Sequence, residues 1–320
     1  MTFKSRVLRT VSGIALVAGL SSQAFAWNDR GHMSVAYLAY QQLTPATRDR
    51  VKLLLKLNPK YNDWAATVDT QVPGASAANK DMMIFMIAAT WADGIKRDST
   101  YTNDGSQNGD RPDTSPAPAR NTGYDDLLRH KYWHFIDTPF TGDGSTLPAI
   151  PTPNAQDRIA LFRAVLASTS PDPLKSYDLT WLLHLVGDVH QPLHAATRVS
   201  STDPGGDAGG NLVKLGCSKC ELHAFWDDLL GTSNTLKTTV NAAKKLPEAD
   251  TTLAAKSDEQ DWIAESFQAA QQTVYARPVV AGDGPFTLTP QYQKNATALA
   301  KKRVALAGAR LANLLNNELK

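Results

Sequence analysis

Cysteine is nearly absent from this 320-residue chain, which has only Cys217 and Cys220. That scarcity excludes a multi-disulfide scaffold and a four-cysteine zinc site. The Cys-Ser-Lys-Cys spacing leaves a redox pair, half of a metal site or a small disulfide loop, and the loop is the expected state in an exported protein. Charge of one sign is also lacking, with 33 bases against 31 acids. There is no global basic field of the kind that drives nonspecific duplex binding, so any nucleic-acid recognition must be local. No apolar run approaches the roughly 20 residues of a spanning helix. No internal repeat and no coiled-coil heptad is present.

The N-terminus supplies one short apolar stretch. Lys4, Arg6 and Arg9 precede Val11 to Leu20, and Ala24-Phe-Ala26 follows. A basic start, a short apolar run and an A-x-A site predict a cleavable export signal over 1–26. Cleavage after Ala26 would expose Trp27 as a free α-amine. It would leave 294 residues, 27–320, carrying 30 bases and 31 acids, since the signal contains three bases and no acid. Localisation is then periplasmic or extracellular, with no membrane anchor.

Apolar periodicity predicts helices over 30–43, 46–57, 80–96, 156–167, 223–231, 259–275 and 291–319. A central helix is expected over about 176–198, kinked at Pro192. Residues 98–123, rich in Asp, Asn, Gly, Pro and Ser, read as a long surface loop. The segment 132–139 is short, aromatic and closed by proline. A small hairpin is expected over 211–215 and the cysteine loop. Together these predict one mainly α domain.

Chemistry concentrates in seven histidines. His184 and Asp188 stand four residues apart in an apolar segment, so a helix would project them from one face. His223 and Asp227 repeat that spacing, and His194 lies ten residues after His184. Asp93 follows Trp91 at the end of an apolar helix, His134 sits between Trp133 and Phe135, and His32 lies five residues after Trp27. Each alone reads as a satisfied core or surface polar group. Together they form a nitrogen and oxygen donor set of the type zinc takes.

Trp27…Gly31-His32, Trp91-Ala-Asp93, His134-Phe-Ile-Asp137, His184-x2-Gly-Asp188-x-His-Gln-Pro-Leu-His194, Gly209-Gly-Asn211 and His223-x2-Trp-Asp227 occur in this order. In these motifs the chain resembles the zinc-dependent single-strand nuclease and 3′-nucleotidase family of the S-one/P-one type, to which mung bean nuclease belongs. That family shares a mainly helical superfamily with bacterial zinc phospholipases C. The resemblance implies three zinc ions. Asp93, His134, His184 and Asp188 would hold one. His194, His223 and Asp227 would hold a second. The Trp27 amine and carbonyl, His32 and a bridging Asp188 would hold the third. It also implies that Asp93 orients the attacking water, that Lys96 stabilises developing phosphorane charge, and that the phosphate stays on the 5′ side. Phe135 would stack a base, Asp137 would bond its edge, and Asn211 would serve substrate. His130 and His190 match no ligand position. The implied partners are single-stranded DNA and RNA and 3′-nucleotides, acted on by a monomer.

Two other readings compete. A phospholipase C-like phosphodiesterase usually has Glu where this chain has Asp227. A non-catalytic exported zinc-binding protein would have no use for Asp93 as a water-orienting group.

Overall fold

The computed structural model describes residues 27–113, 121–217 and 220–319. The expected export signal therefore lies outside the described residues. Among the described residues there are twelve α-helices and four short strands. The helices are α1 (Asp29–Gln42), α2 (Pro45–Leu55), α3 (Tyr61–Gln71), α4 (Ala77–Ala88), α5 (Trp91–Arg97), α6 (Ala155–Ala167), α7 (Asp172–Asp188), α8 (Leu222–Asp227), α9 (Leu236–Ala243), α10 (Thr251–Ala254), α11 (Glu259–Ala269) and α12 (Pro290–Glu318). The strands are β1 (Gly105–Ser106), β2 (Arg111–Pro112), β3 (Thr138–Thr141) and β4 (Ala196–Val199). The architecture is mainly α, as expected. No helix among the described residues is long and apolar enough to cross a membrane.

α7 is the centre of the fold. Every residue from Ser176 to Asp188 is buried, so beyond its first turn this helix has no solvent face and is packed on all sides. Leu179, Trp181, Leu182, Leu183 and Leu185 are fully buried. Each such side chain contributes about 1.5–3 kcal/mol of transfer free energy. α1, α2, α5, α6 and α12 pack around it. A helix held this firmly can carry costly polar groups, and His184 and Asp188 are fully buried on it.

Three local expectations need correction. The central helix does not run through Pro192 with a kink; it ends at Asp188. Gln191 precedes proline and is extended (φ −81°, ψ 118°), because the proline ring disfavours the helical region for its predecessor. A 3₁₀ turn at Pro192–His194 follows, and then β4. The expected single helix over 80–96 is two. At the break, the Thr90 hydroxyl and N–H both donate to Ile87 O, at 2.8 and 2.9 Å, which draws the backbone out of the α ladder. Asp93 therefore sits in the first turn of α5 rather than at the end of a long helix. The expected hairpin is present in minimal form: Lys214 bridges Glu221 antiparallel, flanked by Leu215 N–H to Cys220 O at 3.0 Å and Leu222 N–H to Val213 O at 2.9 Å, and the long loop adds a second antiparallel pair, β1 with β2. The expected cysteine loop is present, with Cys217 and Cys220 joined as a disulfide.

The second sheet positions the site. β3 and β4 pair in parallel, Thr138 opposite Ala196, and the crossover between them contains α6 and α7. The pairing continues backward through Ile136 N–H to His194 O at 2.8 Å. It sets His134, just before β3, beside His194, just before β4.

Candidate metal centre

The site is built from five segments: the start of α1, the start of α5, the turn before β3, α7 with the turn after it, and α8. Asn28 caps α1 by accepting from Gly31 N–H at 3.2 Å. Trp27 is fully buried, and its indole N–H donates to Gly187 O at 3.1 Å. Two glycines permit this approach. A Cβ on Gly31 would lie 2.3 Å from Trp27 Cβ, and one on Gly187 would lie 2.9 Å from His32 Nδ1. With that space, His32 stacks on His184 at a ring separation of 3.7 Å.

Asp188 is the hub. Its Oδ1 lies 3.3 Å from both His32 Nε2 and His184 Nε2, and its Oδ2 lies 2.9 Å from His134 Nδ1. Asp93 Oδ1 approaches His184 Nε2 at 3.6 Å and His134 Nδ1 at 3.9 Å. Lys96, one turn on in α5, places Nζ 2.8 Å from Asp93 Oδ1. All these groups are buried.

Carbonyl oxygens fix the tautomers, because a carbonyl only accepts. His184 Nδ1 donates to Ala89 O at 2.7 Å, at the break between α4 and α5. His194 Nδ1 donates to His134 O at 2.7 Å, and His223 Nδ1 donates to Gly209 O at 2.6 Å. In each ring the Nε2 lone pair is thereby aimed inward. His194 Nε2 and His223 Nε2 face each other at 3.2 Å, with Asp227 Oδ2 3.7 Å from the latter. Gln191 Nε2 donates to Asp227 Oδ1 at 2.8 Å and steadies that carboxylate.

Lone pairs pointing at lone pairs and carboxylates repel unless a cation lies between them. Neither ring nitrogen of His32 has a hydrogen-bond partner, nor does Asp188 Oδ1. Buried atoms of this kind are costly unless paired or metal-bound. Burial holds the His32, His134 and His194 imidazoles well below their ordinary range, and that of His184, with Lys96 nearby, at about 3. They are neutral and competent as ligands. Burial, reinforced by Asp93, pushes the Asp188 carboxyl up. Burial also raises Asp227, opposed by its Gln191 hydrogen bond. Without a compensating cation these acids favour the protonated form. Among the described residues, three sets have donor atoms within 4.8 Å of one another: His32, Asp93 and His184; His134, His184 and Asp188; and His194, His223 and Asp227. Neutral imidazoles and carboxylates in such groups fit a divalent metal.

The S1/P1 nuclease family model matches residues 27–320. The chain belongs to the S1/P1 nuclease family. It is 29% identical to Endonuclease 4 of Arabidopsis thaliana over 238 residues, covering 60% of this chain and 73% of that protein. It is 31% identical to Endonuclease 5 over 173 residues and 32% identical to Endonuclease 3 over 179 residues, both from the same plant. The chain spans little more than half the length of these two, 55% and 56%. Membership supports a nuclease hydrolysing phosphodiester bonds in nucleic acid at a metal-dependent centre.

In this S1/P1 nuclease, the side chains expected from the sequence as ligands gather at one place, with Trp27 against them. The grouping differs in one respect: His32 falls with Asp93 and His184 as well as beside Asp188. Phe135 is half-buried, its ring edge-on to His194 at 6.5 Å. Asp137 lies in the left-handed region (φ 56°), 3.5 Å from Arg111. Burial pushes its carboxyl up to about 6. Asn211 turns its amide onto Ala208 O at 2.6 Å and lies 3.3 Å from His223 Nδ1. The orienting carbonyls of Ala89, His134 and Gly209, and the amide of Gln191, were missed by the sequence reading. Only Gln191, inside the His-Gln-Pro-Leu-His run, carried a visible signal. The reading also missed the partners of His130, whose ring nitrogens meet Asp104 at 2.5 Å and Asp126 at 3.0 Å. Asp126 precedes His130 by four residues, the interval that marked the ligand pairs.

Proposed function

We propose that the chain is an exported zinc-dependent endonuclease and 3′-nucleotidase that cleaves single-stranded DNA and RNA to 5′-phosphomononucleotides. The observation that carries this reading is the convergence of buried, hydrogen-bond-deficient His32 and Asp188 with the inward lone pair of His184. Asp93, His134, His184 and Asp188 would hold one zinc, and His194, His223 and Asp227 a second. His32, Asp188 and the amine and carbonyl of a processed Trp27 would hold the third. Bound zinc would supply Lewis-acid chemistry, acidifying water and drawing charge from a phosphoryl oxygen.

The chain's own groups do the rest. Asp93, fixed by Lys96, accepts a hydrogen bond from the attacking water and orients it. The Lys96 ammonium offers charge to the phosphoryl oxygens as negative charge grows, as a point donor rather than a bidentate fork. Phe135 offers an aromatic face at the rim, on which any base can stack. A base held in a duplex would first have to leave its stack, which accounts for single-strand preference. Asp137 would bond the stacked base's edge, and Asn211 would turn from Ala208 O toward substrate.

Product analysis on single-stranded DNA, RNA and phosphatidylcholine, with and without chelator, tests the reading. Chelator-sensitive 5′-phosphomononucleotides support it. Lipid head-group release with no nucleotide product would identify a phospholipase C-like enzyme instead. N-terminal sequencing of the exported protein should begin at Trp27; any other start removes the third site as described.

A further inference from the structure

A cleft of about 540 Å³ opens between α1, α9, α12 and the segment after α8. Leu229, Leu230 and Ala242 line it together with Arg30, Lys245 and Lys301. No acidic residue is among the described residues that line it. Arg30 Nε is buried with no hydrogen-bond partner. The guanidinium lies against Gly231 (φ 92°), where a Cβ would stand 2.9 Å from Arg30 Nη1. Three cations beside apolar side chains offer contacts suited to an anion that also has a flat or apolar part.

Its position relates it to the catalytic end. Arg30 and His32 are two residues apart, about 200° around the helix, so they point to opposite sides of α1. The metal cluster and the cleft are thus separated by roughly one helix thickness, about 10 Å. The segment leading to the cleft is tied to the α1 start by Asn28 Nδ2, which donates to Asp228 Oδ1 at 2.7 Å and to Gly231 O at 3.0 Å.

We infer that this cleft is a second binding site for the single strand, in which Arg30, Lys245 and Lys301 hold backbone phosphates a few nucleotides from the scissile bond. The inference rests on the nuclease reading and adds a substrate-length preference to it. A strand long enough to round α1 reaches both sites; a dinucleotide reaches only the metal centre. Because the chain has no general basic field, a local cluster is what a polyanion would find.

The test compares a single-stranded 20-mer with a dinucleotide, using the metal-replete enzyme. Lys245 and Lys301 are exposed, so the K245A/K301A pair leaves the core intact. It should raise KM for the 20-mer about tenfold at unchanged kcat and leave dinucleotide kcat/KM unaltered. It should also reduce the slope of log binding against log salt by about 1.4, since each neutralised phosphate of a single strand contributes about 0.7. The exposed pair K244A/K294A, outside the cleft, should do neither. An equal effect of the control pair, no effect of the cleft pair, or parallel losses on both substrates would overturn the inference. Inorganic phosphate binding that depends on Lys245 and Lys301, with 20-mer KM unchanged, would mark a small-anion site and also overturn it. Anisotropy of a labelled 20-mer on metal-replete Asp93→Asn protein reads the cleft without cleavage. Lysine-dependent binding by a wild type that cleaves nothing would therefore sink the nuclease reading and keep the cleft.

Discussion

His184 and His190 lie six residues apart in one buried segment and look alike in sequence. Both are fully buried, and each donates Nδ1–H to a backbone carbonyl, Ala89 O and Val186 O respectively, at 2.7 Å. Their Nε2 atoms meet opposite surroundings. His190 Nε2 accepts from Arg310 Nη1 at 3.0 Å, in a network where Glu265 pairs with Arg310 at 2.8 Å and Arg303 at 3.1 Å. His184 Nε2 faces two carboxylates and His134 Nδ1. The fold completes one imidazole with its own donor and leaves the other facing carboxylates and a second imidazole, a setting that under the proposed function a metal would complete. What distinguishes a ligand here is the second nitrogen's surroundings, not residue type, burial or spacing.

The comparison breaks most directly at Asp188, because it touches three histidines. Asp188→Asn should lower single-strand cleavage by about 10³-fold or more, the several kcal/mol that a metal supplies to transition-state charge. It should also reduce bound zinc measured by elemental analysis; full activity would remove Asp188 from the centre. The opposite result is expected at His190. His190→Leu should cost about 3 kcal/mol in denaturant unfolding, since it strands an Arg310 donor and disturbs a buried ion network. Zinc content of the folded protein should not change, and a loss of zinc there would erase the distinction drawn between the two histidines.

Asp178 sharpens the contrast from the acid side. It is buried away from the candidate ligands, bonded through Oδ2 to Asn121 at 2.9 Å, while Oδ1 has no hydrogen-bond partner and the Arg158 charge only partly opposes the burial. Burial raises it to about 8. The folded state thus keeps a proton that the unfolded chain releases near pH 4. Stability is therefore lost progressively as pH rises from about 4 to 8. Asp178→Asn should gain on wild type by about 1.4 kcal/mol for each pH unit above about 4 and be equal to it near pH 4. A pH-independent difference would contradict this. The smallest effect is expected at Gln191. Gln191→Ala frees Asp227 Oδ1 and should weaken zinc binding at the His194 site by about tenfold, read by competition with a chromogenic chelator.

Much of this site was legible because its residue types are intrinsically costly to bury. Imidazole and carboxylate in runs such as Leu182-Leu-His184-Leu-Val-Gly-Asp188 demand an explanation before any coordinates exist. Helices with one apolar face were equally readable, and α1, α6 and α12 fall within a residue or two of their expected ends. The break at Thr90 was not readable, since it depends on a threonine hydroxyl competing for Ile87 O rather than on proline or glycine. The parallel pairing of β3 with β4 was invisible for a different reason. It joins residues separated by two helices, and only tertiary packing brings them into register. Pro192 was seen but misjudged: its effect on Gln191 ends the helix instead of bending it. The orienting carbonyls have no side-chain signature at all.

The most direct test of the central claim is a zinc titration of chelator-stripped protein, with single-strand cleavage as the readout. The account predicts no cleavage without metal and full recovery at three zinc ions per chain. Cleavage that persists in metal-free protein, or recovery that is complete with a single ion, would contradict it.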